Sequence, residues 1–188
     1  MATLGELAAA LGIIGTVTAT AIPHMLAGLD DARVAGAARY LSSRLAESRM
    51  GAIQKSREVA VRFEQTAGGY RFAVYLDGNG NGVLTRDIER GIDTLLQGPE
   101  KLSDSFRNVD FGLQAALPAI DGGAAPVGDP IKLGVGKSAS FSAMGTATSG
   151  TIYITGTSRA QYAVRIFGIT GKVQVFRFER RSGKWLPA

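Results

Sequence analysis

The stretch that decides the fold lies near the start of the chain, where residues 3–29 read TLGELAAALGIIGTVTATAIPHMLAGL. No charged side chain stands between Glu6 and Asp30. As a helix, residues 7–29 would be about 34 Å long, enough to cross the hydrocarbon core of a bilayer. The segment is rich in Ala, Gly and Thr, which predicts a marginal membrane span able to pack against similar helices. A secretory signal peptide is the alternative, but no basic segment precedes the apolar run.

The helical pattern continues beyond Asp30. Apolar residues recur at spacings of three, four and seven, and charged residues occupy the positions between them. The apolar set is Val34, Ala37, Ala38, Leu41, Leu45, Ala52 and Ile53. We therefore predict one helix from about Thr3 to Arg57, apolar all round in its first half and amphipathic in its second. Pro23 should bend or loosen it.

After Arg57 the pattern becomes that of β-strands. Alternating apolar residues predict strands at 58–64, 70–77, 108–113, 131–135, 150–156, 161–169 and 172–180, and a long surface loop at 115–130. Tight turns at 68–69 and 170–171 would join two pairs of strands as hairpins. The prediction is an α+β fold, a long N-terminal helix packed on a small antiparallel β-domain. Its parts are residues 1–29, 30–57 and 58–188.

Composition excludes several kinds of site. The chain has no Cys and a single His, His24, so disulfides, thiolate nucleophiles and multi-histidine metal centres lack the residues they need. A Ser-His-Asp triad would depend on His24, which follows a proline in the uncharged helix. We therefore expect that the protein is not an enzyme.

The N-terminal residues resemble those of a known family. The sequences ATLGEL (2–7) and AIP (21–23), separated by an uncharged run and followed by an amphipathic helix, resemble the mature N-terminus of type IV pilins and pseudopilins. The family usually has an aromatic residue or Met where this chain has Ala. The positions that match the family's assembly motif are Ala2, Thr3, Leu4, Glu6, Leu7 and Pro23.

This resemblance implies a role for Glu6. A carboxylate just inside an apolar helix is costly in lipid and needs a partner. In pilin-like filaments that partner is the N-terminal ammonium of a neighbouring subunit, which sets the register of assembly. The simpler alternative is that Glu6 is a first-turn acid that complements the dipole of its own helix.

The C-terminal sequence narrows the resemblance. FSAMGTATSGTIYITG (141–156), followed by a hairpin that contains GKVQV (171–175), resembles the GspH/FimT group of minor pseudopilins and minor pilins. The resemblance implies a minor pseudopilin, a structural subunit of the type II secretion pseudopilus. Its partners would be other pseudopilins or pilins, the inner-membrane assembly platform, and membrane lipid before extraction. The single membrane span would leave the β-domain in the periplasm.

Two other functions stay open at this point. One is a FimT-like minor type IV pilin that binds DNA for uptake, and the other is a membrane-anchored periplasmic binding module. The DNA alternative depends on charge, because residues 159–188 carry seven Lys and Arg against Glu179 alone. The candidate DNA-binding residues are Arg165, Lys172, Arg177, Arg180, Arg181 and Lys184. Of these, Arg165, Lys172 and Arg177 are expected to share one face of a hairpin. A solvated edge strand protected by charge is the simpler interpretation.

Residues 77–82, DGNGNG, resemble the start of a calcium-binding loop. Oxygen-bearing side chains at alternate positions followed by Gly are typical of an EF-hand loop. Its twelfth position is Ile88, where a bidentate Glu is needed. The candidate Ca²⁺ ligands are Asp77, Asn79, Asn81, Asp87 and Glu89. The alternative is an Asn/Gly turn without metal, and we expect no other cofactor.

Overall fold

The computed structural model describes residues 3–120, 126–134 and 136–188, which form an α+β structure. A long first helix, α1 (Leu4–Lys55), precedes the strands, and α2 (Thr85–Glu89) and α3 (Leu102–Ser105) are short. The strands are β1 (Val59–Thr66), β2 (Gly69–Leu76), β3 (Thr94–Glu100), β4 (Asp110–Phe111), β5 (Ile131–Lys132), β6 (Ser138–Phe141), β7 (Gly150–Thr155), β8 (Gln161–Phe167), β9 (Lys172–Glu179) and β10 (Lys184–Pro187).

The strands form two antiparallel sheets. The first has the order β3-β2-β1-β6, and the second has the order β10-β9-β8-β7-β4, with β5 also paired to β7. Aromatic side chains join the sheets, because Phe111 of β4 packs edge-on against Phe63 of β1 with 5.5 Å between ring centroids. The two sheets therefore share one hydrophobic core.

The second half of α1 supplies one side of that core. The predicted apolar residues from Val34 to Ala52 are buried, and they pack with residues of both sheets. The prediction is wrong for Ile53, which is 39% exposed in the last turn before the helix ends. The helix stops at Ser56, whose backbone is left-handed, as is common at a helix C-terminus.

The first half of α1 is described in part. The described large apolar side chains here are exposed, with Leu4 at 89% and Met25 at 74%. Among the side chains that the structure describes, the first buried one is that of Asp30. In the part of the chain that the structure describes, no helix has both the length and the hydropathy of a membrane span.

The observed strands confirm most of the strand positions predicted from the sequence. The runs 58–64, 70–77, 150–156, 161–169 and 172–180 correspond to β1, β2, β7, β8 and β9, while the predicted strands 108–113 and 131–135 shorten to two residues each. Three strands, β3, β6 and β10, were not predicted.

Two loop predictions need correction. The turn between β8 and β9 is four residues long, 168–171, rather than two, because Phe167 already pairs with Lys172. The predicted surface loop 115–130 is not wholly at the surface, since Leu117 is buried and the carbonyl of Pro118 accepts a hydrogen bond from Trp185. This segment therefore covers part of the second sheet.

Candidate functional site: the N-terminal motif, the acidic loop and the basic strands

Thr3 and Glu6 together cap the start of α1. The Thr3 hydroxyl accepts from the backbone N–H of Glu6 at 3.3 Å, and the Glu6 carboxylate accepts from the backbone N–H of Thr3 at 2.8 Å. This capping box satisfies two backbone donors that a helix start otherwise leaves without partners. The carboxylate nevertheless remains exposed to solvent. In the single chain the Glu6 carboxylate thus caps its own helix, and it stays exposed where a neighbouring chain could reach it.

The other motif residues are described in part. Leu4 is exposed at the first turn of α1. The backbones of Leu7 and Pro23 belong to α1, which runs through both positions, and their side chains lie outside the described residues. Ala2 also lies outside the described residues.

Asp30 marks the point where α1 joins the domain. Its carboxylate is 4% exposed and accepts hydrogen bonds from the backbone N–H and the hydroxyl of both Thr157 and Ser158. Burial by itself would raise the pKa of Asp30, but these hydrogen bonds from Ser158 and Thr157 lower it below its ordinary value. Gly156 makes room for the contact, because a Cβ there would lie 2.5 Å from the Asp30 Oδ1 atom.

The sequence prediction did not identify this contact between α1 and the loop after β7. Two features of the sequence could have indicated it. Asp30 is the first charged residue after a long uncharged run, and Thr157 and Ser158 lie in a loop that joins two predicted strands. We call Asp30, Thr157 and Ser158 the helix latch.

In the predicted calcium loop, backbone N–H groups of the loop itself donate to the carboxylate of Asp77, the first candidate ligand for the ion. Asp77 is buried, and its carboxylate accepts from the backbone N–H groups of Asn79, Gly80 and Gly82. Burial by itself would raise the pKa of Asp77, but those N–H groups, helped by the nearby Arg57 guanidinium, lower it. Asp93 closes the other side by accepting from the N–H groups of Gly78 and Leu84.

The remaining candidate ligands are used differently. The Asn81 amide donates to the Asp87 carboxylate at 2.9 Å, and the Asn79 side chain accepts from the backbone of Asn81. Glu89 is exposed at the end of α2. Among the described residues no group of three or more acidic or histidine side chains has an arrangement able to hold a metal ion. The geometry is that of the Asn/Gly turn, in which the carboxylates cap backbone donors.

The basic residues of the last strands do not share one face. Arg165 pairs with Gln174, and Lys172 lies two residues before Gln174 on the same strand, so all three share a face. This is the outer face of the second sheet. Arg177 lies on the opposite face, towards α1, where it forms an ion pair with Asp31 at 3.6 Å. The predicted common face is therefore wrong for Arg177. The reason is that side chains alternate along a strand, and residues 172 and 177 are an odd number of positions apart.

The basic residues beyond Arg177 lie at the other end of the hairpin from Lys172. Arg180 donates to the backbone carbonyl of Arg159 at 3.3 Å and to the amide oxygen of Gln114. Arg181 and Lys184 are exposed on either side of the turn that joins β9 to β10. Arg159, which was not among the predicted residues, belongs to this second group because its backbone carbonyl accepts hydrogen bonds from Arg180.

The aromatic side chains near these residues pack on one another. Trp185 lies 5.3 Å from Phe178 and 5.8 Å from Tyr153 between ring centroids. Its indole N–H donates to the carbonyl of Pro118 at 2.9 Å. The Trp185 ring is thus held by the protein itself, as part of the packing between the second sheet and the 112–120 segment.

No family model, curated protein or solved structure matches this chain.

Proposed function

We propose that the chain is a minor pseudopilin, a structural subunit of a type II secretion pseudopilus that assembles through its N-terminal helix. The observation that carries this proposal is the division of α1. Its second half contributes buried side chains to the domain core, while the large apolar side chains described in its first half are exposed. A helix surface of this kind needs either lipid or other helices to cover it.

The motif at the start of α1 supports the same proposal. The exposed Glu6 carboxylate lies one position before an uncharged run of 23 residues. In a bundle of such helices, this acid would lie among apolar surfaces and would need a cation from a neighbouring chain. Before assembly, residues 7–29 would hold the subunit in the inner membrane with the β-domain in the periplasm.

The experiment compares Glu6→Ala with Thr3→Ala. Both changes break the capping box, and each should cost the helix about 1 kcal/mol. Only Glu6→Ala removes the charge that pairs with a neighbour. Complementation of a strain that lacks the chain, scored by secretion and by cross-linking to neighbouring subunits, separates the two effects.

We expect Glu6→Ala to abolish incorporation and Thr3→Ala to retain most of it, while both chains keep the folded β-domain. Equal loss in the two variants would assign the effect to the helix cap instead of the charge. Normal incorporation of Glu6→Ala would contradict the proposal.

A further inference from the structure

A groove with basic walls lies where α1 meets the second sheet. It has a volume of about 560 Å³, and it extends from Gly28 of α1 to the ends of β8 and β9. The charged side chains that line this basic groove are those of Arg159, Arg177, Arg180 and Arg181, together with Asp31 and Glu179. Four guanidinium groups thus face two carboxylates, which leaves two positive charges in excess.

The two carboxylates already have partners. Asp31 pairs with Arg177 and accepts from the Tyr162 hydroxyl at 3.3 Å, and Glu179 accepts from the Ser182 hydroxyl at 2.7 Å. Arg180 is held by two neutral acceptors, which fix its guanidinium without neutralising its charge. The side chains of Arg159 and Arg181 are exposed, and within the described residues neither forms a hydrogen bond or an ion pair.

The position of the groove indicates its ligand. Gly28, which lines it, is the penultimate residue of the uncharged segment 7–29. If that segment lies in a bilayer, the groove opens at the depth of the lipid headgroups. Guanidinium groups bind phosphate through paired N–H donors, and arginine is favoured where that geometry is needed.

The size and the walls of the groove favour a small ligand. Carboxylates of Asp31 and Glu179 interrupt the basic lining, so a long run of phosphates would meet negative charge as well as positive charge. A headgroup carries a single phosphate, which needs only one or two guanidinium groups.

We propose that the basic groove binds the phosphate of an anionic phospholipid headgroup at the outer surface of the inner membrane, and so orients the β-domain on the bilayer before the subunit is extracted. This inference rests on the proposed function, because it requires residues 7–29 to lie in the membrane. Release of the headgroup would accompany extraction.

The experiment uses the full chain in lipid nanodiscs. The thermal unfolding midpoint is followed by the fluorescence of Trp185, the only Trp in the chain, in phosphatidylcholine and in an equimolar mixture with phosphatidylglycerol. A ligand that binds the folded state raises the midpoint by mass action. We expect phosphatidylglycerol to raise it for the natural chain, and we expect Arg159→Gln with Arg181→Gln to lose most of that rise.

The matched control is Arg90→Gln with Lys172→Gln, which removes two exposed charges outside the groove. Each basic residue near an anionic surface is worth roughly fivefold in binding. The groove pair should therefore weaken the binding of phosphatidylglycerol about 25-fold, and the control pair should leave that binding nearly unchanged. An equal loss in both pairs would reduce the effect to general surface charge and overturn the inference.

Further arms identify the source of the phosphate. Inorganic phosphate added to phosphatidylcholine nanodiscs should not reproduce the rise, and a short DNA duplex should give less stabilisation than phosphatidylglycerol. A full rise with either one, lost in the groove pair, would replace the lipid by that ligand and overturn the inference. Insertion without any phosphatidylglycerol response overturns the headgroup inference alone. A chain that does not enter the nanodisc overturns the inference together with the proposed membrane-held subunit.

Discussion

Asp30 is the buried carboxylate of the helix latch, and its replacement tests how α1 is held to the domain. Asp30→Asn places an amide NH₂ against donors of Thr157 and Ser158, so at least one donor loses its acceptor. We expect the free energy of unfolding to fall by about 2 kcal/mol, the usual scale for hydrogen bonds to a buried charged group. Urea unfolding of the full chain in detergent measures it, with the exposed Glu47→Gln as the control that should change little.

The effect of Asp30→Asn on the free energy of unfolding should depend on pH. The pKa of Asp30 is lower in the folded chain than its ordinary value, so the carboxylate stabilises the fold fully above the unfolded pKa of about 4. That stabilisation is lost as the pH falls through the lowered folded pKa. The difference in stability between the natural chain and Asp30→Asn should therefore shrink in acid. A difference that grew in acid would contradict the assignment of the latch.

Alanine substitutions at Gly171 and Gly91 distinguish the cost of backbone strain from the cost of a steric clash. Both have positive φ, 60° and 70°, but a Cβ at residue 171 would lie 2.2 Å from the Gly145 carbonyl oxygen, whereas residue 91 faces open space. Alanine at either position should cost about 1 kcal/mol for the left-handed backbone. Gly171→Ala should cost about 2 kcal/mol more, the scale of overpacking. Equal losses in urea unfolding would show that the loop around Gly145 moves away freely.

At the scale of elements, a long hydrophobic pattern in the sequence predicts a helix or strand better than a short one does. Val34, Ala37, Leu41 and Leu45 lie on one stripe over several turns, and that stripe is buried as predicted. The missed strand β3 reads TLLQGPE, in which Gly98 and Pro99 disfavour a strand, and it forms at a sheet edge where Pro is tolerated. Strands β6 and β10 have four residues each, too few for a period to be recognised. β6 pairs with β1, which is distant in the sequence, whereas β10 pairs with the preceding strand β9 across a short turn.

The loop at 77–82 gives a prediction about metal. Because three backbone N–H groups already occupy the Asp77 carboxylate, chelation of Ca²⁺ should leave the thermal unfolding midpoint unchanged within error. Asp77→Ala should lower the midpoint equally with and without Ca²⁺, since it leaves buried donors without an acceptor. Differential scanning calorimetry measures both. A rise of several degrees on adding Ca²⁺, lost in Asp77→Ala, would mean that the ion displaces these hydrogen bonds.

At the scale of the whole molecule, the sequence predicts an excess of charge but not its arrangement. The positive net charge of residues 159–188 can be counted from the sequence. Once the strand register is known, the alternation of side chains assigns Arg165 and Arg177 to opposite faces. The basic groove is different, because Gly28 on α1 and Arg159 after β7 come together only when the helix latch forms. Such a site depends on tertiary contacts between distant segments, so no local pattern indicates it.

The division of α1 gives a last prediction, on where the chain can be shortened. Every side chain of the described hydrophobic core lies at Val34 or beyond, and the helix latch begins at Asp30. A chain that starts at Leu29 should therefore keep its fold, unfold near the temperature of the full chain, and remain a soluble monomer by light scattering. The full chain should need detergent, because the large apolar side chains described before Asp30, such as Leu11 and Met25, are not covered by the domain. As a control, a chain that starts at Tyr40 loses the latch together with Val34, Ala37 and Ala38, and it should fail to fold. A full chain that stayed monomeric in buffer alone would contradict the assembly role of the first half of α1, whereas unfolding of the chain from Leu29 would show that this half also stabilises the domain.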